Sequence, residues 1–259
     1  MERAILVDDG TGHSLDTLEL GSLARAIHRT IGAPLDLLGM DACLMNCVEV
    51  AYQLRSDVRA IVGSQEEEPG DGWPYTAVLT DLSARPTMTG LQWGAAIASR
   101  YVDSYRNGEQ VTQSVLDTSK LRTLKGPLDV LAREIAAACA QSNQQRTLVR
   151  MAVMEALSFP NDDGTQVDAG QLCAQLKMLG LGGALDAACD AVLAALAPGG
   201  VVADRQNRGR RLEGASGISI YFPEGPSRLS EEYARLAFAK AGAWPDALAA
   251  VYPNSPAFR

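Results

Sequence analysis

One cysteine, Cys43, stands where the sequence predicts that a strand gives way to a helix. Residues 35–40 form a short apolar run entered through Pro34, which suits a buried parallel strand. Residues 44–54 carry apolar side chains at spacings of three and four, which is typical of a helix. A helix N-terminus favours the thiolate, the form of cysteine that attacks carbonyl carbons. Cys43 is therefore a candidate nucleophile, although position alone favours a structural role for an isolated cysteine.

A second unit of the same kind follows along the chain. Residues 60–64 are predicted to form the next strand, and residues 65–72 form an acidic loop that contains glycines. Open α/β sheets bind their ligands beyond the carboxyl ends of the strands. We therefore expect the two strands to be adjacent and parallel, with Cys43 and Asp71 beyond their carboxyl ends.

Two blocks of sequence carry a family resemblance. They are GMDACLMNCVEVAYQL at residues 39–54 and IVGSQEEEPGDGWPY at residues 61–75, and shorter similar segments lie at residues 113–121, 165–176, 216–223 and 233–252. Together they resemble the clostripain-like cysteine peptidases of the caspase-like group, which also contains gingipains, legumain and separase. The resemblance implies a caspase-like three-layer α/β/α fold with a mostly parallel sheet. It also implies hydrolysis of peptide bonds by a cysteine thiolate.

The resemblance assigns roles to three residues. It makes Cys43 the nucleophile, and it places Asp41 and Asp71 where the family lines the pocket for the residue before the cut. Carboxylates at those positions bind Arg or Lys, and Arg can form two parallel hydrogen bonds with one carboxylate. The simpler alternatives are a helix-start cap for Asp41 and a plain turn residue for Asp71.

Two further residues of the second block are weaker candidates for the substrate pocket. Ser64, at the end of its strand, is expected to offer backbone groups to an extended substrate. Trp73 is expected either to form a wall of the pocket or to anchor the loop.

The resemblance also implies a catalytic residue that this sequence does not show. In the family, a His-Gly at the end of an earlier strand supplies the general acid and part of the oxyanion hole. Here His13 is followed by serine, and His28 lies in a helical pattern. The chain is interpreted as lacking the family's N-terminal part and strands, and as inactive unless a separate N-terminal fragment supplies the histidine. The alternatives are a catalytically dead pseudo-peptidase that binds basic peptides, and a fragment that does not fold.

Composition indicates a globular protein. The 259 residues are 47% hydrophobic, and no apolar run approaches the roughly 20 residues that cross a membrane. The net charge of −8 argues against nucleic acid as a partner, and the five cysteines form no C-x-x-C pair that would indicate zinc. We expect polypeptide substrates with basic residues, no nucleic-acid partner and no membrane partner. A secreted and a cytoplasmic location both stay open.

Two acidic clusters leave calcium open as a ligand, although no cofactor is expected with certainty. They are Asp8, Asp9 and Asp16 near the start, and Asn161, Asp162, Asp163 and Asp168 in the middle of the chain. Neither cluster has the spacing of an EF-hand, and turn chemistry explains most such runs.

The remaining patterns suggest a division of the chain. Residues 1–121 alternate strands and helices and are interpreted as a partial caspase-like catalytic core. Residues 122–259 are interpreted as a helix-rich C-terminal part whose strands join the sheet. Within that part, residues 201–203 and 217–222 are expected to pair as strands around a loop that carries four arginines at residues 205–211, and an Arg-selective peptidase could cut that loop.

Overall fold

The computed structural model describes residues 5–6, 8, 10–106, 108–161, 164–226, 230–253 and 255. Strands and helices alternate along the chain, which confirms the predicted α/β fold class. The strands are β1 (Leu38–Gly39), β2 (Ala60–Gly63), β3 (Val111–Asp117), β4 (Ser158–Asn161), β5 (Gly164–Asp168), β6 (Val202–Arg208) and β7 (Ser219–Tyr221).

Ten α-helices lie in the described part of the chain. They are α1 (Thr17–Ile31), α2 (Val48–Leu54), α3 (Tyr75–Ala84), α4 (Gly90–Ser104), α5 (Leu121–Gln141), α6 (Asn143–Glu155), α7 (Ala169–Met178), α8 (Gly183–Leu196), α9 (Ala237–Lys240) and α10 (Trp244–Val251). Short 3₁₀ helices occupy Thr118–Lys120, Arg210–Leu212 and Glu231–Arg235.

Several helix ends follow signals that are visible in the sequence. Asp16 accepts a hydrogen bond from the Glu19 N–H, and the Glu19 carboxylate accepts one from the Asp16 N–H, which makes the predicted capping box of α1. Gly32 ends α1 with a left-handed φ of 77°, a conformation that glycine adopts without steric cost. Asp168 caps α7 through the Gln171 N–H. The sequence predicts these three helix ends from their side chains and the glycine, and the structure confirms them.

The central sheet has the strand order β1-β2-β3-β6. β1 and β2 are parallel, with Leu38 opposite Ile61, as predicted. β3 is antiparallel to both β2 and β6. The sheet is therefore mixed rather than mostly parallel, because β3 enters it from the opposite end after α3 and α4.

A second sheet, in the order β4-β5-β7, is antiparallel throughout. The predicted pairing of residues 201–203 with 217–222 is wrong, because β6 pairs with β3 and β7 pairs with β5. The arginine-rich segment is largely strand rather than loop, with Arg208 opposite Val111. The reason is that β3 is an inner strand, and its second edge needs a hydrogen-bonding partner.

Helices cover both faces of the central sheet. Val115 of β3 packs on one face with Ile97 and Tyr101 of α4. Its neighbour Leu116 packs on the other face, in a core that extends from Leu20 of α1 to Trp244 of α10. This alternation produces three layers, and residues 1–121 and 122–259 share one core.

The sequence also predicts a strand at residues 4–7 and a helix at residues 231–241, and both differ from the structure in detail. In the predicted strand at residues 4–7, Ile5 forms an isolated bridge with Leu15, and Ala4 and Val7 lie outside the described residues. The predicted helix at residues 231–241 is divided at Leu236, where the backbone is extended.

Candidate active site

Cys43 lies in the turn that follows β1, five residues before α2 begins. The predicted helix at residues 44–54 is therefore wrong at its start, and Cys43 is not at a helix N-terminus. Leu44 has a left-handed φ of 65°, a conformation that costs a non-glycine residue about 1–2 kcal/mol. Strained backbone of this kind clusters at functional sites, where the surrounding structure holds it.

Long-range backbone bonds explain the late start of α2. The Asn46 N–H donates to the Ser64 carbonyl at 2.9 Å, and Cys47 forms a parallel bridge with Ser219 of β7. These bonds hold residues 46 and 47 in an extended conformation. The apolar period alone could not reveal this, because both partners are distant in the sequence.

The Cys43 thiol is exposed and lies against the acidic loop. Its Sγ accepts a hydrogen bond from the Glu68 N–H at 3.2 Å. The next residue, Leu44, donates its N–H to the Glu66 carbonyl at 3.2 Å. The turn that carries the thiol and the loop after β2 are therefore joined by two hydrogen bonds.

The acidic loop is itself anchored from below. Thr112 Oγ1 of β3 accepts hydrogen bonds from the N–H groups of Gln65 and Glu66 at 3.0 and 3.1 Å. The Gln65 side chain donates to the buried Asp168 and accepts from the Gly217 N–H. These bonds fix the loop, and the loop therefore holds Cys43 in a preorganised position.

Asp41 joins the thiol turn to the start of α3. Its Oδ2 accepts hydrogen bonds from the Trp73 N–H at 3.1 Å and from the Tyr75 hydroxyl at 2.8 Å. A Cβ on Gly72, whose φ is 62°, would lie 2.8 Å from the same oxygen. The alternative role as a helix-start cap is wrong, because α2 begins at Val48.

Asp71 is exposed at the third position of a turn closed by a 3.0 Å bond from the Gly72 N–H to the Pro69 carbonyl. A cavity of about 230 Å³ lies between this turn and the end of α4. Tyr105 lines it and donates its hydroxyl to the Gly72 carbonyl at 2.7 Å. Burial raises the pKa of Tyr105, and the nearby Asp71 charge raises it further. Asp71 therefore projects its charge toward this cavity.

The other two candidates from the second block occupy interior positions. Ser64 is fully buried, its hydroxyl bonds with Thr112 and the Glu66 N–H, and its carbonyl accepts from Asn46. Its hydroxyl and its carbonyl are therefore used inside the fold, and the expected substrate contact stays a prediction. Trp73 is 7% exposed, and a Cβ on Gly39 would meet its ring at 2.9 Å. That packing favours the anchoring role.

Neither histidine forms a hydrogen bond with the thiol among the described residues. His28 Nδ1 lies 2.8 Å from Asp57 Oδ1, in the segment before β2, where the Asp57 carbonyl accepts from the Leu35 N–H. This is the end of the sheet opposite Cys43. His13 lies in an exposed turn before α1. The described residues therefore offer Cys43 no histidine as a general acid.

The structure adds polar residues that sequence reasoning missed. Glu68 Oε1 and Oε2, Tyr101 Oη, Trp73 Nε1 and both amide atoms of Gln113 are buried, and none has a hydrogen bond of standard geometry within the described chain. Burial raises the pKa of Glu68 to about 9, and a hydrogen bond and repulsion from Asp41 act in the same direction. A sign of this polar group in the sequence was Gln113, a polar residue within the apolar run of β3.

The acidic clusters use their oxygens in local turns and caps. Asp8 accepts from the Gly10 N–H and the Thr11 hydroxyl, and Asp16 and Asp168 are helix caps. Asp9, Asp162 and Asp163 lie outside the described residues, and among the described ones no group of three or more His, Cys, Asp or Glu is placed to hold a metal ion.

The sequence matches a protein-family model over most of its length. The family model described as the clostripain family matches residues 1–250. The chain belongs to the clostripain family. It is therefore a cysteine peptidase by family, and its substrates are polypeptides. The predicted family, caspase-like fold and enzyme class are confirmed.

Solved structures share the fold of this clostripain-family chain. A B. fragilis cysteine protease is 21% identical with a TM-score of 0.66, and the match covers 95% of this chain and 98% of that one. A secreted C11 cysteine protease from Bacteroides thetaiotaomicron is 22% identical with a TM-score of 0.58, covering 93% of this chain and 65% of that one. A clostripain from the same organism is 16% identical with a TM-score of 0.52, covering 96% and 99%.

These identities establish a common fold. A search of curated proteins found no match. Among the helices that the structure describes, none is long and apolar enough to cross a membrane.

Proposed function

We propose that this chain hydrolyses peptide bonds on the carboxyl side of Arg or Lys through the Cys43 thiolate. One observation supports the proposal most strongly. The loop whose Glu68 N–H bonds to the Cys43 sulfur continues into the turn that carries Asp71 and into the Trp73 N–H that bonds to Asp41. The nucleophile, Asp41 and the turn that carries Asp71 therefore belong to one continuous, hydrogen-bonded segment.

The reaction follows from the chemistry of the thiolate. The Cys43 sulfur attacks the carbonyl carbon, and the resulting tetrahedral intermediate collapses as the C–N bond breaks. The leaving amine must receive a proton from a general acid at that moment. Water then hydrolyses the thioester, which releases the acid product and regenerates the thiol.

The preference for basic residues rests on charge and exposure. Asp41 and Asp71 are both exposed, and charge-assisted hydrogen bonds to Arg or Lys are roughly twice as strong as neutral ones. The B. thetaiotaomicron clostripain was solved with a peptide inhibitor, BTN-VLTK-AOMK, whose peptide part ends in lysine. That relative supports the same preference here.

We also propose that the general acid comes from a separate segment. His28 is bound to Asp57 at the other end of the sheet, and His13 lies in an exposed turn. The chain by itself is then inactive, and a His-Gly segment restores cleavage. Calcium binding stays a proposal for the acidic segments at residues 8–16 and 161–168.

The test is a panel of fluorogenic Arg, Lys and Leu amide substrates. The chain is assayed alone and with a clostripain-family His-Gly segment, fused ahead of Met1 or added as a separate chain. Cleavage after Arg and Lys should appear only in the complemented forms. Asp246→Asn, an exposed carboxylate on α10, is the matched control for the variants at Asp41 and Asp71, and it should leave the preference unchanged.

One observation favours a second candidate, a peptidase-like module that binds basic peptides without cutting them. Cys43 has no histidine partner among the described residues, while Asp41 and Asp71 are present and exposed. Binding of an Arg peptide by a folded, complemented chain that releases no product would favour this module over the enzyme.

A further inference from the structure

Glu68 contributes two different groups to the site. Its backbone N–H points outward and bonds to the Cys43 sulfur, while its side chain turns inward so that both carboxyl oxygens are buried. The side chain interacts there with Asp41, Trp73 and Gln113. The proposed peptidase mechanism uses the N–H and leaves the carboxyl group without a role.

The groups around this carboxyl are polar and buried. Gln113 on β3 is fully buried, and Trp73 is 7% exposed. Both amide atoms of Gln113 and the Trp73 Nε1 lack a hydrogen bond of standard geometry among the described residues. Trp73 and Gln113 approach the Glu68 carboxyl as donors and favour its ionised form, but burial and Asp41 have the larger effect. Glu68 and Asp41 therefore share one polar site.

Two carboxyl groups share this site, and only one of them faces solvent. Asp41 is exposed, whereas both carboxyl oxygens of Glu68 are buried next to it. Two adjacent carboxylates repel each other, so a pair of this kind holds one proton until a cation replaces it. We infer that Asp41 and Glu68 form a carboxyl pair that carries one proton on Glu68 in the free protein and releases it when the basic side chain of a substrate binds. This inference rests on the proposed preference for Arg and Lys.

The direction of the pH dependence follows from linkage. The pKa of Glu68 is raised to about 9, first by burial and then by the hydrogen bond and charge of Asp41. An arriving guanidinium or ammonium group favours the ionised pair and lowers this pKa. Binding therefore releases a proton below pH 9, and affinity for basic peptides rises with pH by up to about tenfold per unit.

The other titratable groups that face Glu68 cannot supply this proton near neutral pH. Tyr75 on α3 has a pKa raised to about 12 by burial and by Asp41. Burial and the nearby carboxylates also raise the pKa of Tyr101 and of Tyr105 on α4. The experiment uses a chain in which Cys43 is replaced, so its thiol cannot supply the proton. Glu68 is then the group that remains as its source.

The experiment measures proton release directly. A Cys43→Ala chain is titrated with a capped dipeptide amide ending in Arg at pH 7.5, by calorimetry in two buffers of different ionisation enthalpy. The matched ligand ends in citrulline, the neutral analogue of Arg. We expect release of close to one proton for the Arg peptide and none for citrulline. A second series from pH 6 to 9 should show the rise in affinity.

Glu68→Gln in the same background tests the assignment. The amide copies the protonated acid, so the variant should still prefer Arg over citrulline, release no proton and bind with no pH dependence. The variant should fold at least as stably as its parent, because an acid whose folded pKa lies above its unfolded value destabilises the fold at neutral pH. A thermal melt verifies this.

Three results would overturn the inference. Preferential Arg binding without proton release refutes the shared proton and leaves the proposed specificity intact. Unchanged proton release in Glu68→Gln assigns the proton to another group. Equal binding of the Arg and citrulline peptides refutes the basic-residue preference, and the carboxyl pair with it.

Discussion

The two ends of the central sheet both carry charged side chains beside a cavity, but they differ in how well those side chains are satisfied. At the end opposite Cys43, a cavity of about 750 Å³ is lined by Asp36, Arg59 and Asp117, among others. There Arg59 lies 2.5 Å from Asp36, and Asp117 accepts from the N–H and hydroxyl groups of Ser119.

At the Cys43 end the cavity is about 230 Å³, and the polar groups behind it are less satisfied. Glu68, Trp73 and Gln113 keep buried atoms without a standard hydrogen bond inside the described chain. Each such atom costs roughly 1–3 kcal/mol, which a fold tolerates where a ligand uses the group. The comparison teaches that cavity volume does not locate the site, because the larger cavity lies at the end away from Cys43.

The largest expected effect is on catalysis, and it distinguishes the two ends of the central sheet. Cys43→Ala in the histidine-complemented chain should reduce kcat/KM for an Arg substrate by about 10⁴-fold or more, because alanine offers no nucleophile. Ser56→Ala, beside the cavity at the other end, should change it by less than about twofold. Substantial activity in Cys43→Ala would mean that another group performs the attack.

A second prediction compares two carboxylates. Asp71→Asn keeps the shape of the side chain and removes its charge, so kcat/KM for Arg relative to Leu should fall about ten- to a hundredfold, which corresponds to roughly 1.5–3 kcal/mol. Asp36→Asn, the same change at the opposite end, should leave the ratio unchanged. The fluorogenic panel measures both variants. An unaltered ratio in Asp71→Asn would show that Asp71 is a plain turn residue.

A third prediction compares two glycines. Gly72→Ala forces a left-handed alanine against Asp41, whereas Gly90→Ala pushes its Cβ to 2.1 Å from the Asp36 carbonyl. We expect each to lower the free energy of unfolding by about 1–3 kcal/mol, measured by denaturant titration. Only Gly72→Ala should also weaken the preference for Arg, since it displaces Asp41. A loss of preference in Gly90→Ala would show that the two ends are coupled.

The smallest effect belongs to the exposed ion pair at the opposite end. The side chains of Arg59 and Asp36 are 59% and 75% exposed. Arg59→Ala should therefore change stability by less than about 1 kcal/mol and leave peptidase activity unaltered. A melt and the Arg substrate assay check both points, and a large loss of activity would give the 750 Å³ cavity a functional role.

The sequence by itself determined the parts of this protein that depend on local chemistry. The sequence predicts a helix over residues 121–141, and α5 has these bounds. The helix ends at Asp16, Gly32 and Asp168 depend on residues that are near in the chain. The position of Cys43 after a parallel strand was also visible, because an apolar run and a polar turn adjoin there.

Tertiary structure alone decided the features that depend on distant partners. Helix α2 begins late because residues 46 and 47 bond to Ser64 and to β7. β6 lies beside β3 because an inner strand needs two partners. The arginines of this segment had instead predicted a loop. The pairing of Glu68 with Asp41 has the same origin. Twenty-seven positions separate the two residues in the sequence, and the folded loop brings the exposed Asp41 next to the buried Glu68 carboxyl.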